Sequence, residues 1–253
     1  MITTDELVPV ILLCNEEYWA PYVFESIKGR FERYVIYDVG SHDETKRIVN
    51  WFIETVPQGT EIFYRELPMC DPIIQGTFRN SMMAEARADW TLMIDGDEVY
   101  TPEALDALIL EMENMKELYT SHGKTYGVVR RVEATRDLTK AYGQDLTVSH
   151  HRVYQRNMVF IGTHPGEEPL YKQNGNSEHW FSKKVVCYHQ HNCARSRLDG
   201  DVPRRLKRRD KATYSPGEAL PIDILEKVPL FRNPIEDFVP NPKLVELQKK
   251  FKL

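Results

Sequence analysis

The strongest constraint on this chain is the strand–helix–strand alternation that fills its first hundred residues. Val8–Cys14 is short, apolar and rich in branched side chains, the pattern of a buried strand. A helix is predicted over Glu17–Lys28, with Gly29 placed to stop it. Arg33–Asp38 is a second strand. Ser41-His-Asp-Glu44 has the form of a capping box, a hydroxyl followed three residues on by a carboxylate. The helix it opens runs to about Thr55, with Ile48, Val49, Phe52, Ile53 and Val56 as its apolar face. Glu61–Glu66 is a third strand, Gly76–Ala88 a helix and Trp90–Ile94 a fourth strand. Thr101-Pro102-Glu103 caps a further helix that ends near Tyr119. Strands linked through helices by short loops predict a parallel sheet with helices on both faces.

The pattern changes after Gly123. Tyr126–Val132, Leu146–Gln155, Met158–Gly162 and Val185–Asn192 read as strands without comparable helices between them. This half is expected to be mixed or antiparallel and to continue the first sheet. From Asp199 the chain is basic, then spaced by Pro216, Pro221, Pro229, Pro234, Pro240 and Pro242. An extended tail is expected there, with a last short helix reaching Lys250.

Composition excludes several classes. Of the 253 residues, 42% are hydrophobic and 28% charged, which suits a globular chain and not a disordered or fibrous one. The longest apolar run, Leu7–Cys14, is far short of the roughly 20 residues that span a bilayer. Asp5 and Glu6 stand where a signal peptide would carry basic residues, so neither a secretory signal nor a membrane span is predicted. Cys14, Cys70, Cys187 and Cys193 are too few for a disulfide scaffold, and a reducing cytoplasm is expected. The net charge of −5 argues against a nucleic-acid coat. Residues 193–213 are the exception: eight Lys and Arg against three Asp give +5, leaving −10 for the rest.

Ile94-Asp95-Gly96-Asp97-Glu98 is the sharpest chemical signal. An apolar strand ends directly in two carboxylates separated by glycine. Ligands of open α/β sheets collect at such strand ends. Two carboxylates at this spacing can address one hard cation, and Gly96 permits a close approach. A solvated acidic turn at an exposed strand end is the plainer alternative. Asn15-Glu16-Glu17 and Asp38-Val-Gly-Ser41-His-Asp43-Glu-Thr45 end the first two strands, so all three clusters should line one sheet edge. Asp38 can accept from a nucleobase N–H or a ribose hydroxyl. Ser41 taken alone is a helix cap. Arg79, on the helix entering the fourth strand, can neutralise a phosphate or simply face solvent.

Pro9-Val-Ile-Leu-Leu-Cys-Asn15-Glu16-Glu17, Tyr37-Asp38-Val-Gly-Ser41-His-Asp43-Glu-Thr45, Phe78-Arg79-Asn80 and Leu92-Met-Ile-Asp95-Gly-Asp97-Glu98 resemble, in order and spacing, the motifs of family 2 glycosyltransferases with the GT-A fold. The resemblance implies an α/β, Rossmann-like mixed sheet with helices on both faces, plus a C-terminal extension. It implies a nucleoside-diphosphate-sugar donor, with UDP-sugars favoured, and Mn²⁺ or Mg²⁺ held by Asp95 and Asp97. Asp38 matches the base-binding acid, and Asn15, Glu17 and Ser41 fall near the nucleoside. Arg152-Val-Tyr-Gln-Arg156 and Gly162-Thr-His164-Pro-Gly-Glu167-Glu168 resemble the Arg-rich strand and His-Glu element of members that build lipopolysaccharide cores. That adds Arg156 and His164 to the substrate contacts, beside Arg79 and Asp95. Glu167, then Glu168, is the expected base, and inversion the implied outcome.

Cys187-Tyr-His189-Gln-His191-Asn-Cys193 suggests zinc, but on a strand at about 3.3 Å per residue its four side chains span roughly 20 Å. One tetrahedral ion cannot gather all four without a bend. His189 and His191 can share an ion, and the family resemblance makes them further metal ligands. A packed strand and a structural zinc stay open. The basic run Arg204–Lys211 reads as a solvated loop, a lid over phosphates, or a dock for an anionic acceptor such as a lipid-linked glycan at a membrane surface or a nucleic acid. The expected division is a catalytic domain over 1–198, with a nucleotide-sugar half (1–105) and an acceptor half (106–198), followed by the 199–253 extension. The expected activity is metal-dependent sugar transfer to an acceptor hydroxyl. A nucleotidyltransferase or a non-catalytic nucleotide- or polyanion-binding protein are the alternatives.

Overall fold

A computed structural model describes residues 6–68, 74–119, 125–134, 140–142, 149–156, 158–161, 168–171, 178–190, 195–198 and 218–219. The element order is β1 (Leu7–Leu13), α1 (Ala20–Ile27), β2 (Arg33–Val39), α2 (Thr45–Thr55), β3 (Glu61–Leu67), α3 (Gln75–Ala86), β4 (Trp90–Asp95), β5 (Glu98–Tyr100) and α4 (Pro102–Tyr119). The strands β6 (Thr125–Ala134), β7 (Lys140–Tyr142), β8 (Ser149–Gln155), β9 (Met158–Ile161), β10 (Glu168–Tyr171), β11 (Glu178–His189) and β12 (Glu218–Ala219) follow.

The main sheet runs β12-β7-β6-β8-β4-β1-β2-β3, with β11 joining β6 to β5. β4, β1, β2 and β3 are mutually parallel. β8 enters antiparallel to β4, and β6 antiparallel to β8, so the second half extends the first sheet as a mixed one. β9 and β10 form a separate antiparallel pair.

Every residue of β1 is buried, which explains its unbroken apolar run. Alternate side chains feed two cores. Leu7, Ile11 and Leu13 pack with Phe24 of α1, Phe52 of α2 and Leu105 and Leu108 of α4. Val8, Val10 and Leu12 pack with Met82, Met83 and Ala86 of α3 and with Phe160 of β9. Helices therefore cover both faces, and each such side chain contributes about 1.5–3 kcal/mol by leaving water. Among the described residues no helix is long and apolar enough to cross a membrane.

Four local expectations fail. α1 starts at Ala20, not Glu17, because Asn15 takes a left-handed φ of 50° and turns the chain first. The Ser41–Glu44 capping box does not form. The Ser41 hydroxyl accepts from the Asn15 N–H at 2.8 Å, and the Ser41 N–H donates to Asp38 Oδ1 at 2.9 Å. Asp43 Oδ1 instead accepts the Thr45 N–H at the start of α2. Ile53, assigned to the buried face of α2, is 37% exposed, while Ile48, Val49 and Phe52 are buried. The strand expected from Val185 begins earlier, at Glu178. Within the expected tail, Glu218–Ala219 pairs with β7 as β12, while the expected terminal helix lies outside the described residues.

Candidate active site

The three acidic clusters meet at the C-terminal ends of β1, β2 and β4. Asp38 lies opposite Leu13 and Asp95 opposite Leu12 in the parallel ladders, so the two acids flank the end of β1. Neighbouring strands are about 4.8 Å apart, which puts their backbones roughly 10 Å from each other.

Two loops form one side of the site by bonding to each other. The Glu16 N–H donates to Thr45 Oγ1 at 2.8 Å, and the Glu17 N–H to Asp43 Oδ2 at 3.2 Å. The His42 N–H donates to Asn15 Oδ1 at 2.8 Å, and the Glu44 N–H to Glu17 Oε2 at 3.3 Å. Asn15, Glu16, Glu17 and Ser41 are buried by this exchange. Ser41 is thus a clamp between loops and not a helix cap.

Asp38 is fully buried at the base of that clamp. Its Oδ1 accepts from Ser41, but its Oδ2 has no partner among the described residues. Burial raises its carboxyl above the ordinary value, and the Ser41 bonds and Lys46 offset this only in part.

The other side is an ion-pair network. Asp95 meets Arg79 Nη2 at 3.2 Å and Arg152 Nη2 at 2.9 Å. Its N–H donates to Glu98 Oε2 at 3.1 Å, and Arg152 also binds the fully buried Glu98. Asp97 is 0% exposed, against the alternative of a solvated acidic turn at an exposed strand end. Arg195 Nη2 stands 2.5 Å from Asp97 Oδ2 and Arg195 Nη1 3.0 Å from Glu16 Oε1. His189 Nε2 lies 3.4 Å from the same Asp97 oxygen. β11 delivers this histidine by pairing His189 with Glu98 of β5, and the Gln190 N–H donates to the Asp97 carbonyl at 2.9 Å. Burial works against the charge on Arg195 and on Arg152, but the adjoining carboxylates outweigh it and hold both guanidiniums above their ordinary value.

Gly96 serves packing. A Cβ there would come within 2.5 Å of Glu16 Cγ and 2.8 Å of Leu13 Cδ2. The close approach that glycine allows is to the first loop of the chain itself.

Asn15, Glu17, Asp38, Ser41, Arg79, Asp95, Asp97 and His189 are therefore brought together. Arg156 is not. β8 runs antiparallel to β4 with Gln155 opposite Trp90, which carries Arg156 to the far end of the sheet. There it is exposed and lies 3.8 Å from Asp89. Glu168 pairs with Ile161 in the separate β9–β10 sheet. His164, Glu167 and His191 lie outside the described residues. Sequence reasoning did not assign Glu16, Glu98, Arg152 or Arg195 to the site. Glu98 and Glu16 adjoin the quoted motifs, and Arg152 lies within the Arg-rich strand, but Arg195 carried no signal beyond the basic stretch.

The sequence matches the family described as Glycosyl transferase family 2 over residues 10–197. Among curated proteins none matches. The fold is similar to the crystal structure of S. aureus TarS 1–349, 11% identical with a TM-score of 0.49, covering 97% of this chain and 72% of that one. It is similar to TarS 1–349 in complex with UDP-GlcNAc, 18% identical with a TM-score of 0.38, covering 52% of this chain and 34% of that one. It is similar to glucosyl-3-phosphoglycerate synthase from Mycobacterium tuberculosis in complex with Mn²⁺ and UDP-glucose, 17% identical with a TM-score of 0.35, covering 50% and 43%. The chain spans 28%, 34% and 36% of the first three TarS chains it matches.

Proposed function

This chain belongs to glycosyl transferase family 2, and from that premise we propose that it moves a sugar from a nucleoside-diphosphate donor to an acceptor hydroxyl. The GT-A arrangement of its sheet puts Asp38, Asp95 and Asp97 along one strand-end edge. The observation that carries the proposal is the buried Asp38 Oδ2, left without a hydrogen-bond partner among the described residues. A buried carboxylate oxygen without a donor is costly, so a ligand that supplies one is favoured. The imide N–H of uracil does so. The corresponding ring nitrogen of cytosine is an acceptor and would repel the carboxylate. A UDP-sugar fits on this ground.

The family resemblance implies a divalent cation, and the donor chemistry fits one. Asp95 and Asp97 offer carboxylates and His189 an imidazole, and the Arg195 guanidinium already stands as a cation on Asp97. Among the described residues no three such groups converge on one point as they stand. Asp97, Asp95 and His189 would hold Mn²⁺ or Mg²⁺, which as a Lewis acid supplies positive charge to the leaving diphosphate. His191 is a further candidate ligand.

The protein's own groups do the rest. Asp38 orients the nucleoside through its base or ribose. Asn15, Glu17 and Ser41 shape the wall around it. Arg79 and Arg152 fix the Asp95 carboxylate and offset its charge as a diphosphate approaches. Glu167 or Glu168 takes the proton from the acceptor hydroxyl on the opposite face of the sugar, which inverts the anomeric centre. We assign the catalytic domain to residues 1–198, in halves 1–105 and 106–198, with 199–253 as an extension, and the site of action to the cytoplasm.

The test is product analysis after incubation with nucleotide sugars and Mn²⁺. Release of a nucleoside diphosphate with transfer of the sugar is expected. Release of pyrophosphate would replace the reading with nucleotidyl transfer, and binding without turnover would replace it with a non-catalytic role. A thermal-shift screen of nucleoside diphosphates first identifies the base, since a ligand that binds only the folded state raises its apparent stability.

A further inference from the structure

Residues 195–198 form a strap hooked onto the first loop. The Arg195 carbonyl accepts the Tyr18 N–H at 2.9 Å. The Ser196 hydroxyl donates to Glu17 Oε1 at 3.1 Å, and the Arg197 N–H donates to the same oxygen at 2.6 Å. Arg197 Nη2 reaches Glu44 Oε1 at 3.3 Å. These contacts hold the backbone of the strap without help from the Arg195 side chain. That side chain spans two acids, Glu16 Oε1 at 3.0 Å and Asp97 Oδ2 at 2.5 Å.

We propose that the Arg195 guanidinium and a divalent cation exchange with each other at Asp97, so that Arg195 sets how readily the site takes a metal. This rests on the reading of Asp97 as a cation ligand. The argument is one of space and charge. Asp97 is fully buried, so it is left ionised only beside positive charge. A guanidinium already supplies that charge at one carboxylate oxygen. A divalent cation on the same carboxylate would stand close to the guanidinium in a buried site, and the two cations repel. The guanidinium need not leave the protein to make way, because Glu16 remains its second partner and the strap keeps its own anchors. Near Asp97 the described charged groups are Glu16, Asp95 and Glu98, with Arg79, Arg152 and Arg195 opposed to them. Removing Arg195 turns four carboxylates against three guanidiniums into four against two. The field at Asp97 then favours an added cation.

The consequence is a threshold. Free metal must displace an internal cation. Metal arriving with a nucleoside diphosphate brings anionic oxygens that can accept the released guanidinium, so the pair binds more readily than the ion alone.

The test is calorimetry with Mn²⁺ alone on the full chain. Arg195→Met should bind Mn²⁺ about 10–100-fold more tightly than wild type, the range by which groups around a metal's ligands tune affinity. Arg195→Lys keeps the charge and should stay near wild type, which a merely structural role would not produce. Equal or weaker binding by Arg195→Met overturns the exchange. A second measurement needs no destabilised variant. In ¹⁵N NMR of the wild-type protein, Mg²⁺ alone should shift the Arg195 Nε resonance, identified as the signal lost in Arg195→Lys. A resonance unmoved at saturating Mg²⁺ overturns the proposal. If no form binds either ion, the cation reading of Asp97 and the exchange fall together. UDP binding through Asp38 would then still stand or fall by its own test.

Discussion

The hydroxyl of Ser41 accepts the backbone N–H of Asn15 at 2.8 Å, tying the loop after the first strand to the loop after the second. Asn15 is 2% exposed, so water cannot replace that bond. Ser41→Ala should therefore cost about 1–3 kcal/mol, the penalty of a buried unpaired N–H. Glu44→Ala should cost less than about 1 kcal/mol, since among the described residues its side chain makes surface ion pairs. Urea denaturation of the two variants checks this. A larger loss at Glu44 than at Ser41 would restore the capping box.

Asp38 opposes stability to function. Its carboxyl is raised by burial, so the folded state holds that proton more firmly than the unfolded chain. The ionised form therefore destabilises the fold, and the cost grows as pH rises from the ordinary value of 3.8 through the higher folded one. Asp38→Asn keeps an oxygen for the Ser41 N–H and removes the charge. Without ligand it should be as stable as wild type or more so at neutral pH, with the gap closing below the ordinary carboxyl range. It should lose nucleoside diphosphate affinity with or without Mn²⁺. Unchanged affinity by calorimetry would return Asp38 to a structural role.

Asp95 and Asp97 should separate in the same kind of measurement. Asp95 is 22% exposed in its side chain, and Arg152, one of its two arginines, keeps Glu98 as a partner. Asp95→Ala should abolish transfer with a modest stability loss. Asp97→Ala takes from Arg195 the carboxylate at 2.5 Å and should cost about 3–5 kcal/mol, the usual penalty for breaking a buried pair from one side. Asp97→Asn should fold better and still be inactive. Near wild-type turnover in Asp95→Ala or Asp97→Asn would remove the pair from the reaction.

Gly96→Ala needs no chemistry to fail. The added methyl would collide with Glu16 Cγ and Leu13 Cδ2. A loss of about 1–3 kcal/mol is expected from overpacking, with weaker nucleotide binding because Glu16 belongs to the shared loop. A melting temperature equal to wild type would show that the loop relaxes freely.

The parts of this site that were legible share a cause. Asp38, Asp95 and Asp97 each follow an apolar strand, and a parallel sheet must bring such strand ends to one edge. The hidden parts are those set by distance along the chain. Arg152 reaches Asp95 across 57 residues and Arg195 reaches Glu16 across 179, and no local pattern encodes either pairing. Ser41 misled for the opposite reason. Its local spacing suits a capping box, but the tertiary partner Asn15 takes the hydroxyl. Arg156 misled because a resemblance along one strand does not say which end of the sheet the residue reaches. The antiparallel entry of β8 sends it away from Asp95 while its neighbour Arg152, four residues earlier, points its charge into the site.

The last prediction concerns the base. Glu167→Gln and Glu168→Gln keep size and hydrogen bonding but cannot take a proton. Glu168 begins β10, and Glu167 directly precedes it in the chain. Glu167 is expected to be the essential one, with Glu168 the second candidate. The essential variant should lose about 10²–10⁴-fold in transfer rate while donor affinity is kept. Single-turnover transfer measured beside calorimetric donor binding separates the cases. Two variants at wild-type rates would place the base elsewhere among the strands after Gly123. A variant that loses donor affinity together with rate would make that residue part of the donor pocket. A Gln variant that loses the rise in rate the wild type shows as the carboxyl ionises would keep that residue as the base, since only the ionised carboxylate accepts the acceptor's proton.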